Sequence, residues 1–488
     1  MKRSLRIVNY AVNGSGTGHL TRLCAINRWL RRYAAWADAR AEIYFLTSSE
    51  ADGLPLRERF AAFKLPSKSV IADAGVDKTT YLALAKQWVW HSLGLLRPDL
   101  FVVDTFPRGS FGELLGALDL CKKRALVFRP MLEDFARRPD VQALLPLYDL
   151  VLVPEREGDA RIVVPDAARA RTRFVGPVAV RERAELHSRD EARARLGVPR
   201  AARVVYVSAG GGGDVAAERH LWRVITALLA ADATLHLVAG AGPLYRGAVP
   251  RDARITWLVN ESAAEHARAF DVAVTAAGYN TFTELMLAGV PSVFVPQSKI
   301  ADDQAERALR AVRAGAGRLL DPEAGDADLL AAVTELLEPT VAEKASLAAR
   351  GVVPKNCARQ AAAELLRLCL PASEVDRAEA AVGDALLGHA RELGVGEDAL
   401  VELMHLLDGD AGRSSPAREL GGLLERSAAL IQRARAEGVQ VPALCELARG
   451  LMRRGAFSDV ATRQAAIGDA LQHSAPAGAP APATEPEQ

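Results

Sequence analysis

Two separate segments of the chain repeat one order: a short run of β-branched and apolar residues, a glycine-rich turn, and a helical pattern. The first apolar run spans residues 6–12 and the second spans 203–208. After each run, short apolar stretches continue to alternate with longer helical patterns, which is typical of βαβ units on a parallel sheet. The sequence therefore predicts an α/β protein with two tandem, doubly wound, Rossmann-like domains.

The alternation also predicts the individual elements. In the first domain we expect strands at 6–12, 42–47, 100–104, 125–128 and 150–154, and helices that include 20–36, 80–96 and 111–120. In the second domain we expect strands at 203–208, 234–238, 255–258, 272–275, 292–295 and 318–320, and a helix at 215–231.

The domain boundaries follow from where this alternation stops. Gly176-Pro177-Val178 has the composition of a hinge, so we assign 1–177 to the first domain and 178–357 to the second. Residues 358–473 contain only Ala-, Leu-, Arg- and Glu-rich helical patterns and are predicted to be a helical extension. Residues 474–488 lack apolar bulk, and we expect them to be disordered.

Charge and cysteine content exclude some functional classes. The 488 residues include 61 Lys and Arg and 60 Asp and Glu, a balance that argues against nucleic-acid binding through bulk charge. The five cysteines are scattered without a CxxC pair, which argues against structural zinc and fits a reducing compartment. No stretch reaches the ~18 apolar residues of a membrane span, and the start is too short and polar for a signal peptide. We expect a cytoplasmic protein without a transmembrane segment.

The first glycine turn is followed by a histidine. Gly14, Gly16 and Gly18 allow a ligand to approach the backbone, and the helix that begins near His19 directs N–H groups toward an anion. The turn is neither a Walker loop nor a G-x-G-x-x-G dinucleotide turn. Because a helix N-terminus disfavours imidazolium, His19 is expected to be neutral and able to accept a proton. A simple helix cap is the equally supported alternative.

A carboxylate ends one predicted strand of the first domain. Asp104 stands at the carboxyl end of strand 100–104, the edge at which doubly wound sheets bind ligands. It could orient the imidazole of His19, as in other pairs of a base and its orienting group. The alternative is an N-cap for the helix predicted at 111–120.

The second domain carries the candidate donor-binding residues. The turn that contains Gly210, Gly211 and Gly212 exposes amides on which a diphosphate could rest, although a flexible turn is the alternative. Further along, Glu284 lies near the start of a predicted helix, where its carboxylate can accept the vicinal hydroxyls of a ribose. Two further groups of residues are predicted to bind the donor. Gly278, Asn280 and Thr281 lie at the helix start, and Asp303 and Gln304 supply acceptors and donors for sugar hydroxyls.

This segment resembles the nucleotide-sugar glycosyltransferases of GT-B fold, above all the MurG-like UDP-N-acetylglucosamine transferases, and it is also similar to the plant and animal UDP-glycosyltransferases. The resemblance extends over about residues 5–355. The motif consists of Gly278, Asn280-Thr281, Glu284, Gly289-Val290-Pro291, Pro296 and Asp303-Gln304, with the weaker Gly14-x-Gly16-x-Gly18-His19 at the other end.

The resemblance implies an inverting transfer from a UDP-sugar, N-acetylglucosamine above all, without a cofactor or a metal ion. His19 would be the general base and Asp104 its holder, while Glu284 would bind the ribose. Gly16, Gly18 and the 210–212 turn would line the donor site, and Asp303 and Gln304 would contact the donor sugar. Ala276 stands where the plant enzymes have a phosphate-contacting histidine, so backbone amides would carry more of the diphosphate binding.

Several alternatives remain open at this point. One is a UDP-sugar 2-epimerase on the same fold, and another is a non-catalytic nucleotide-sugar-binding scaffold with the C-terminal helices as its interaction module. The acceptor is open between a lipid-linked molecule and a saccharide, because the first loop lacks the Gly-Gly-Thr-Gly-Gly form of the peptidoglycan enzyme. Asp408-Gly409-Asp410 looks like a metal-binding Asp-x-Asp motif but is interpreted as a turn.

The helix after the first glycine turn has a basic, aromatic face. It includes Arg22, Arg28, Arg31 and Arg32 together with Trp29 and Trp36. We expect this face to be solvated. The alternative is peripheral contact with an anionic membrane that delivers a lipid-linked acceptor.

Overall fold

The computed structural model describes residues 3–12, 16–37, 39–159, 161–208, 210, 215–242, 244–259, 261–299, 301–380, 386–408, 417–455, 457 and 459–474. The chain divides into two compact units. The larger unit consists of Leu5–Arg31 with Ala41–Pro371, and the smaller one of Met1–Ser4, Arg32–Arg40 and Ala372–Gln488.

The larger unit is built on two sheets. The first has seven strands in the order β3-β2-β1-β4-β5-β6-β7, and the second has six in the order β10-β9-β8-β11-β12-β13. The first sheet comprises β1 (Arg3–Ala11), β2 (Ala39–Thr47), β3 (Ala61–Lys64), β4 (Leu100–Asp104), β5 (Arg124–Val127), β6 (Leu150–Val153) and β7 (Thr172–Phe174). The second comprises β8 (Arg203–Ser208), β9 (Leu235–Ala241), β10 (Ile255–Val259), β11 (Val272–Thr275), β12 (Ser292–Phe294) and β13 (Gly317–Leu319).

Helices connect and cover these strands. In the larger unit they are α1 (Gly18–Trp36, which continues into the smaller unit), α2 (Gly53–Arg57), α3 (Lys68–Asp73), α4 (Lys78–Leu96), α5 (Glu133–Ala136), α6 (Pro139–Gln142), α7 (Asp166–Arg169), α8 (Arg189–Leu196), α9 (Val215–Ala231), α10 (Tyr279–Ala288), α11 (Gln304–Arg313), α12 (Asp326–Leu337), α13 (Pro339–Val352) and α14 (Ala358–Leu366). The smaller unit contains α15 (Ala372–Ala380), α16 (Leu387–Glu392), α17 (Glu397–Asp408), α18 (Ala417–Ala436), α19 (Val441–Arg454) and α20 (Val460–Ser474).

The two sheets share one topology, which confirms the predicted fold class. In each sheet the first strand pairs in parallel with the fourth, β1 with β4 and β8 with β11. The strand order therefore reverses at that pair, and in doubly wound sheets ligands bind outside the carboxyl ends of the strands at this reversal. The topology thus directs the segments after β1, β4, β8 and β11 toward ligand-binding edges.

The cores explain why the strands read as continuous apolar runs. All five residues of β4 and all seven of β9 are buried. Helices on both faces of a parallel sheet remove the alternation of apolar and polar residues that a half-exposed strand would show. Phe101 and Val103 belong to a hydrophobic core of the first sheet, and Val205 and Val207 belong to a core of the second.

Most predicted elements are confirmed, and the exceptions have physical causes. The strands at 100–104, 203–208 and 272–275 and the helix at 215–231 have the predicted bounds. The prediction missed β3 and β7, which are the two edge strands of the first sheet and are only partly buried, so they lack a strong apolar run.

The predicted helix at 111–120 is wrong. Only Ala117–Leu120 is helical, as a short 3-10 turn. Gly109, Gly112 and Gly116 have φ values of 79°, 93° and 78°, and this left-handed backbone is incompatible with a continuous right-handed helix. The carboxylate of Asp104 is consequently not the cap of such a helix.

The prediction of a solvated basic face on α1 is also wrong for most of its members. Arg22, Arg28 and Arg32 are buried, as is Trp29. Arg28 donates to the backbone oxygen of Val180 and forms ion pairs with Glu58 and Glu185, while the indole N–H of Trp29 donates to Glu182 at 2.8 Å. A backbone carbonyl and carboxylates replace water around Arg28, and Asp104 does so for Arg22, so the helix does not present these two side chains to an anionic membrane.

The segment predicted as a hinge is anchored to the second domain. The N–H of Val178 donates to the hydroxyl of Tyr279 at 3.0 Å, and the oxygen of Pro177 accepts from the N–H of Cys357 at 2.7 Å. In the sequence, the segment lies between the strands of the two sheets, since β7 ends at Phe174 and β8 begins at Arg203. The exact domain boundaries of 1–177, 178–357, 358–473 and 474–488 stay a prediction.

From Ala372 onward, the described part of the smaller unit is helical. Helices α17, α18, α19 and α20 pack against one another and bury Leu403, Ile431, Ala448 and Ile467. Within the described ranges, none of the helices combines the length and apolar composition needed to cross a bilayer. Gly409, Asp410 and the tail from residue 475 lie outside the described residues.

We expect Gly176→Ala to lower the free energy of unfolding by about 1–3 kcal/mol. Gly176 has a φ of 96°, and an added Cβ would lie 2.6 Å from the Sγ of Cys357. The matched control is Gly94→Ala in α4, where nothing lies within 4 Å of the added Cβ, so we expect a gain of about 0.5–1 kcal/mol. Urea denaturation of both variants measures the difference, and equal midpoints would contradict the packing argument.

Candidate active site

A cavity of about 880 Å³ opens at the carboxyl ends of both sheets of the larger unit. The segment after β1 and the residues after β4 and β5 line it from the first sheet, and the segments after β8, β10, β11 and β12 line it from the second. Of the predicted site residues, the lining includes Gly16, Gly18, His19, Gly210, Gly278, Asn280, Thr281, Glu284 and Gln304. The topology therefore brings most of the predicted residues together at one site.

His19 and Asp104 meet at the strand reversal of the first sheet. His19 is in the first turn of α1, and Asp104 ends the neighbouring strand β4. The Nδ1 atom of His19 lies 3.1 Å from Oδ1 of Asp104, although the direction is not that of a hydrogen bond. The imidazole also stacks on Phe106 with 5.4 Å between the ring centres. Packing and charge together limit how the imidazole can rotate.

Asp104 is ionised although it is fully buried. Arg22 donates to it from Nε at 2.9 Å and from Nη2 at 2.6 Å, and the hydroxyl of Thr105 donates at 2.6 Å. Burial alone would raise the pKa of this carboxyl, but the charges of Arg22 and His19 and these hydrogen bonds hold its pKa below the ordinary value. A permanent negative charge therefore lies beside the imidazole.

His19 is neutral at pH 7, the protonation state expected from the sequence. Burial is the largest cause and lowers the pKa of its imidazole to about 4. Asp104 opposes that shift, while the charges of Arg22 and Arg129 add to it. A neutral imidazole can accept a proton, and the adjacent carboxylate would stabilise the imidazolium that forms.

Backbone strain marks both sides of the cavity. Thr105, immediately after β4, has a φ of 66°, and Ala277, just before α10, has a φ of 60°. A β-branched residue with positive φ is a true outlier, and such strain persists only where the surrounding structure enforces it. Both turns redirect the chain at the ligand-binding edge of their sheets.

The start of α10 lines the cavity from the second domain. Its N-cap is Gly278, which has no side chain to occupy the first-turn N–H groups, and Gly278, Asn280 and Thr281 all line the cavity. The side-chain amide of Asn280 donates to the oxygen of Gly18 at 3.2 Å, which joins the starts of α10 and α1. Two helix N-termini therefore face one space, an arrangement suited to an anion.

Glu284 lies one turn into α10 and lines the same cavity. Burial raises the pKa of its carboxyl to about 7, and only the charge of Arg181 opposes this. Among the described residues, Glu284 has no hydrogen bond or ion pair. Its acceptor oxygens are therefore available to a ligand, as the ribose assignment requires.

The remaining residues predicted for the second-domain side of the cavity have different outcomes. Gln304 lines the cavity, where its Oε1 accepts from the N–H of Gln297 at 2.9 Å. Asp303 is not among the lining residues; its carboxylate caps α11 by accepting from the N–H of Glu306 at 3.0 Å. Asp302, one residue earlier, lines the cavity instead. Gly210 lines the cavity, whereas Gly211 and Gly212 lie outside the described residues.

A buried ion network at the cavity wall was not foreseen. Oδ1 of Asp302 accepts from Nη1 of Arg129 at 2.7 Å and from Nη2 of Arg307 at 2.9 Å. The guanidinium groups of Arg22 and Arg307 lie over the ring of Tyr279, 4.9 and 5.6 Å from its centre. The signal that identified Asp104, a charged residue just beyond a strand end, applies equally to Arg129 after β5.

A comparison with protein families identifies part of the second domain. Residues 258–363 match the Glycosyltransferase family 28 C-terminal domain. The match contains the cavity-lining segment from Gly278 to Glu284 and also Gln304. The segment with the most specific predicted motif is therefore also the segment that the family covers.

Two curated bacterial proteins are similar in sequence. Both carry the name UDP-N-acetylglucosamine–N-acetylmuramyl-(pentapeptide) pyrophosphoryl-undecaprenol N-acetylglucosamine transferase. The protein from Salinibacter ruber is 34% identical over 155 residues, which are 30% of this chain and 41% of the relative. The protein from Cutibacterium acnes is 30% identical over 221 residues, 41% of this chain and 58% of the relative. The chain thus spans less than two thirds of either relative.

Among solved structures, spinosyn forosaminyltransferase SpnP matches with a TM-score of 0.52 at 16% sequence identity, over 75% of this chain and 99% of SpnP. At this identity the match shows the fold alone. The chain has a GT-B fold, its residues 258–363 match the glycosyltransferase family 28 C-terminal domain, and it resembles the MurG-like glycosyltransferases, as its sequence motifs predict.

Proposed function

We propose that the protein is an inverting glycosyltransferase that moves N-acetylglucosamine from its UDP-activated form to an acceptor hydroxyl, with His19 as the general base. The observation that carries the proposal is one cavity with two unlike walls. A neutral imidazole backed by Asp104 lines one wall, and the uncapped start of α10 with the unpaired Glu284 lines the other.

The donor would bind on the α10 wall. The carboxylate of Glu284 would accept both ribose hydroxyls, and the first-turn amides of α10, with the 210–212 turn, would hold the diphosphate. Gln304 would reach the donor sugar. The names of the two curated relatives and the family 28 match support UDP-N-acetylglucosamine as the donor.

The chemistry would be a single displacement. The acceptor oxygen forms a bond to the anomeric carbon as its proton passes to His19, and the bond from that carbon to the diphosphate breaks on the opposite side. The electron pair leaves with UDP, and the configuration inverts. Proton removal by a positioned base contributes about 10²–10⁴-fold. The amides and cations that face the diphosphate stabilise the charge that develops there, and we propose that no metal ion is needed for this.

The epimerase alternative needs free acid and base carboxylates in the cavity. Of the carboxylates that line it among the described residues, most are held in ion pairs: Asp302 by Arg129 and Arg307, and Glu58 and Glu265 by Arg181. A non-catalytic scaffold would bind UDP without turnover. Product analysis separates the three, because epimerisation requires no acceptor.

The names of the relatives support a proposal for the acceptor and the cellular setting. The name of both relatives includes a pyrophosphoryl-undecaprenol acceptor, which supports a lipid-linked acceptor over a free saccharide. We propose a cytoplasmic enzyme that works at the membrane surface without a transmembrane segment. The five cysteines are free thiols, as a reducing compartment maintains them.

We expect His19→Ala to lower kcat by about 10²–10⁴-fold, since the base is lost, and to leave the affinity for UDP unchanged. Steady-state turnover and calorimetric UDP titration measure the two effects. The matched control is His236→Gln, which changes a buried imidazole in β9 that does not line the cavity. A His19 variant with the turnover of wild type would refute the assignment.

We expect Glu284→Ala to weaken UDP binding by about 10- to 100-fold, the range for hydrogen bonds to a charged group. Asp303→Ala is the matched control, because that carboxylate caps α11 outside the cavity, and we expect it to keep the wild-type affinity. Calorimetry with UDP compares them. Equal affinities in wild type and the Glu284 variant would remove the ribose assignment.

We also expect the affinity for UDP-N-acetylglucosamine to rise between pH 6 and pH 8. Below its pKa of about 7 Glu284 is protonated, and the ionised form is the better acceptor for ribose hydroxyls. The increase should be at most about tenfold. His19, with a pKa of about 4, and Tyr206, with a pKa of about 12, do not titrate in this range. Glu284→Gln should abolish the pH dependence, and a slope that persists in this variant would assign it elsewhere.

A further inference from the structure

We infer that Arg129 is an anion-binding residue of the cavity, whose ligand is a phosphate or diphosphate group. The inference rests on the proposed function for the identity of that group, but the structural argument concerns the arginine itself. Arg129 follows β5 of the first sheet and lines the cavity, and its side chain is 11% exposed.

The hydrogen bonds of Arg129 leave part of its guanidinium unused. Nη1 donates to Asp302 at 2.7 Å and to the oxygen of Pro130 at 3.0 Å. Nε and Nη2 have no partner among the described residues. A guanidinium carries five N–H donors in a planar fork, and the free edge of that fork matches the spacing of two phosphate oxygens. Part of a buried cation thus remains available to a ligand.

The charges around Arg129 do not balance. Three guanidinium groups, those of Arg22, Arg129 and Arg307, surround only two carboxylates, Asp104 and Asp302. His19 adds no charge, because its imidazole is neutral at pH 7. One positive charge is therefore uncompensated around a guanidinium that is largely buried, which is unfavourable unless an anion enters. In agreement, burial and the other two guanidinium groups lower the pKa of Arg129.

The same network places this charge near the start of α10. Arg129 and Arg307 share Oδ1 of Asp302, and Nη1 of Arg307 donates to the oxygen of Ala277 at 2.8 Å, immediately before the N-cap Gly278. The guanidinium and the uncapped amides thus flank one part of the cavity. Arg129 thus offers the cavity a phosphate-binding group that Ala276 cannot provide, and it does so from the opposite domain.

The test uses the full chain and three variants. Arg129→Gln removes the charge while Asp302 keeps its bond to Arg307. Arg129→Lys keeps the charge but not the fork. Arg310→Gln is the matched control, because Arg310 also joins the second sheet's domain to the first, through Glu155 at 3.0 Å, without lining the cavity. Thermal unfolding of each variant checks that it is folded.

Calorimetric titrations use UDP, uridine, and inorganic pyrophosphate with and without saturating UDP. We expect Arg129→Gln to weaken UDP binding by about 10- to 100-fold while uridine binding stays unchanged, since only the phosphates are contacted. Arg129→Lys should lose less affinity for UDP than Arg129→Gln does, and Arg310→Gln should bind UDP with the wild-type affinity.

The outcomes separate the sources of the anion and the two proposals. A loss confined to pyrophosphate binding at saturating UDP would assign Arg129 to a phosphate of the acceptor. If Arg129→Gln binds UDP and pyrophosphate as wild type does, the inference is overturned and the proposed function is untouched. If wild type binds neither UDP nor uridine, the proposed donor is wrong, and pyrophosphate binding alone tests Arg129. Pyrophosphate binding that is weaker in Arg129→Gln than in wild type would then support the inference. Absence of pyrophosphate binding in wild type would overturn it.

Discussion

The pair formed by Arg22 and Asp104 is the interaction on which the candidate site depends. A carboxylate at the end of a fully buried strand would be protonated without a cation beside it, and a protonated Asp104 could not stabilise an imidazolium. Arg22 supplies two hydrogen bonds and a charge from the first turns of α1, the same helix that carries His19. One helix therefore provides both the imidazole and the group that keeps its carboxylate partner ionised.

The same pair shows how a nearly neutral protein builds a charged interior. The formal net charge is +1, yet the buried residues include Arg22, Arg28, Arg193 and Arg307. Each of these four arginines donates to carboxylates or to backbone carbonyls, as Arg193 does to Asp271 and to the oxygen of Ala269. Bulk composition gives no hint of this, because it counts charges without locating them.

The architecture could be predicted from the sequence because parallel strands buried on both faces leave continuous apolar runs, and because glycines mark the turns that precede helices. His19, Glu284 and Gln304 could be predicted from their place in a motif. Arg129 carries the same strand-end signal as Asp104, but its contact with Asp302, 173 residues away, could not be predicted, since only the folded chain creates it. The error on α1 has the same origin: periodicity shows that its arginines share a face, but not that carboxylates and carbonyls cover it.

Tyr279 is the first residue of α10, yet it belongs structurally to both halves of the larger unit. Its ring lies beneath Arg22 from one side and Arg307 from the other, and its hydroxyl donates to Pro154 and accepts from Val178. The two Rossmann-like modules are therefore not freely interchangeable parts. A chimera that replaces the second module must retain this tyrosine together with Arg22 and Arg307, or it will separate the arginine that pairs with Asp104 from the start of α10.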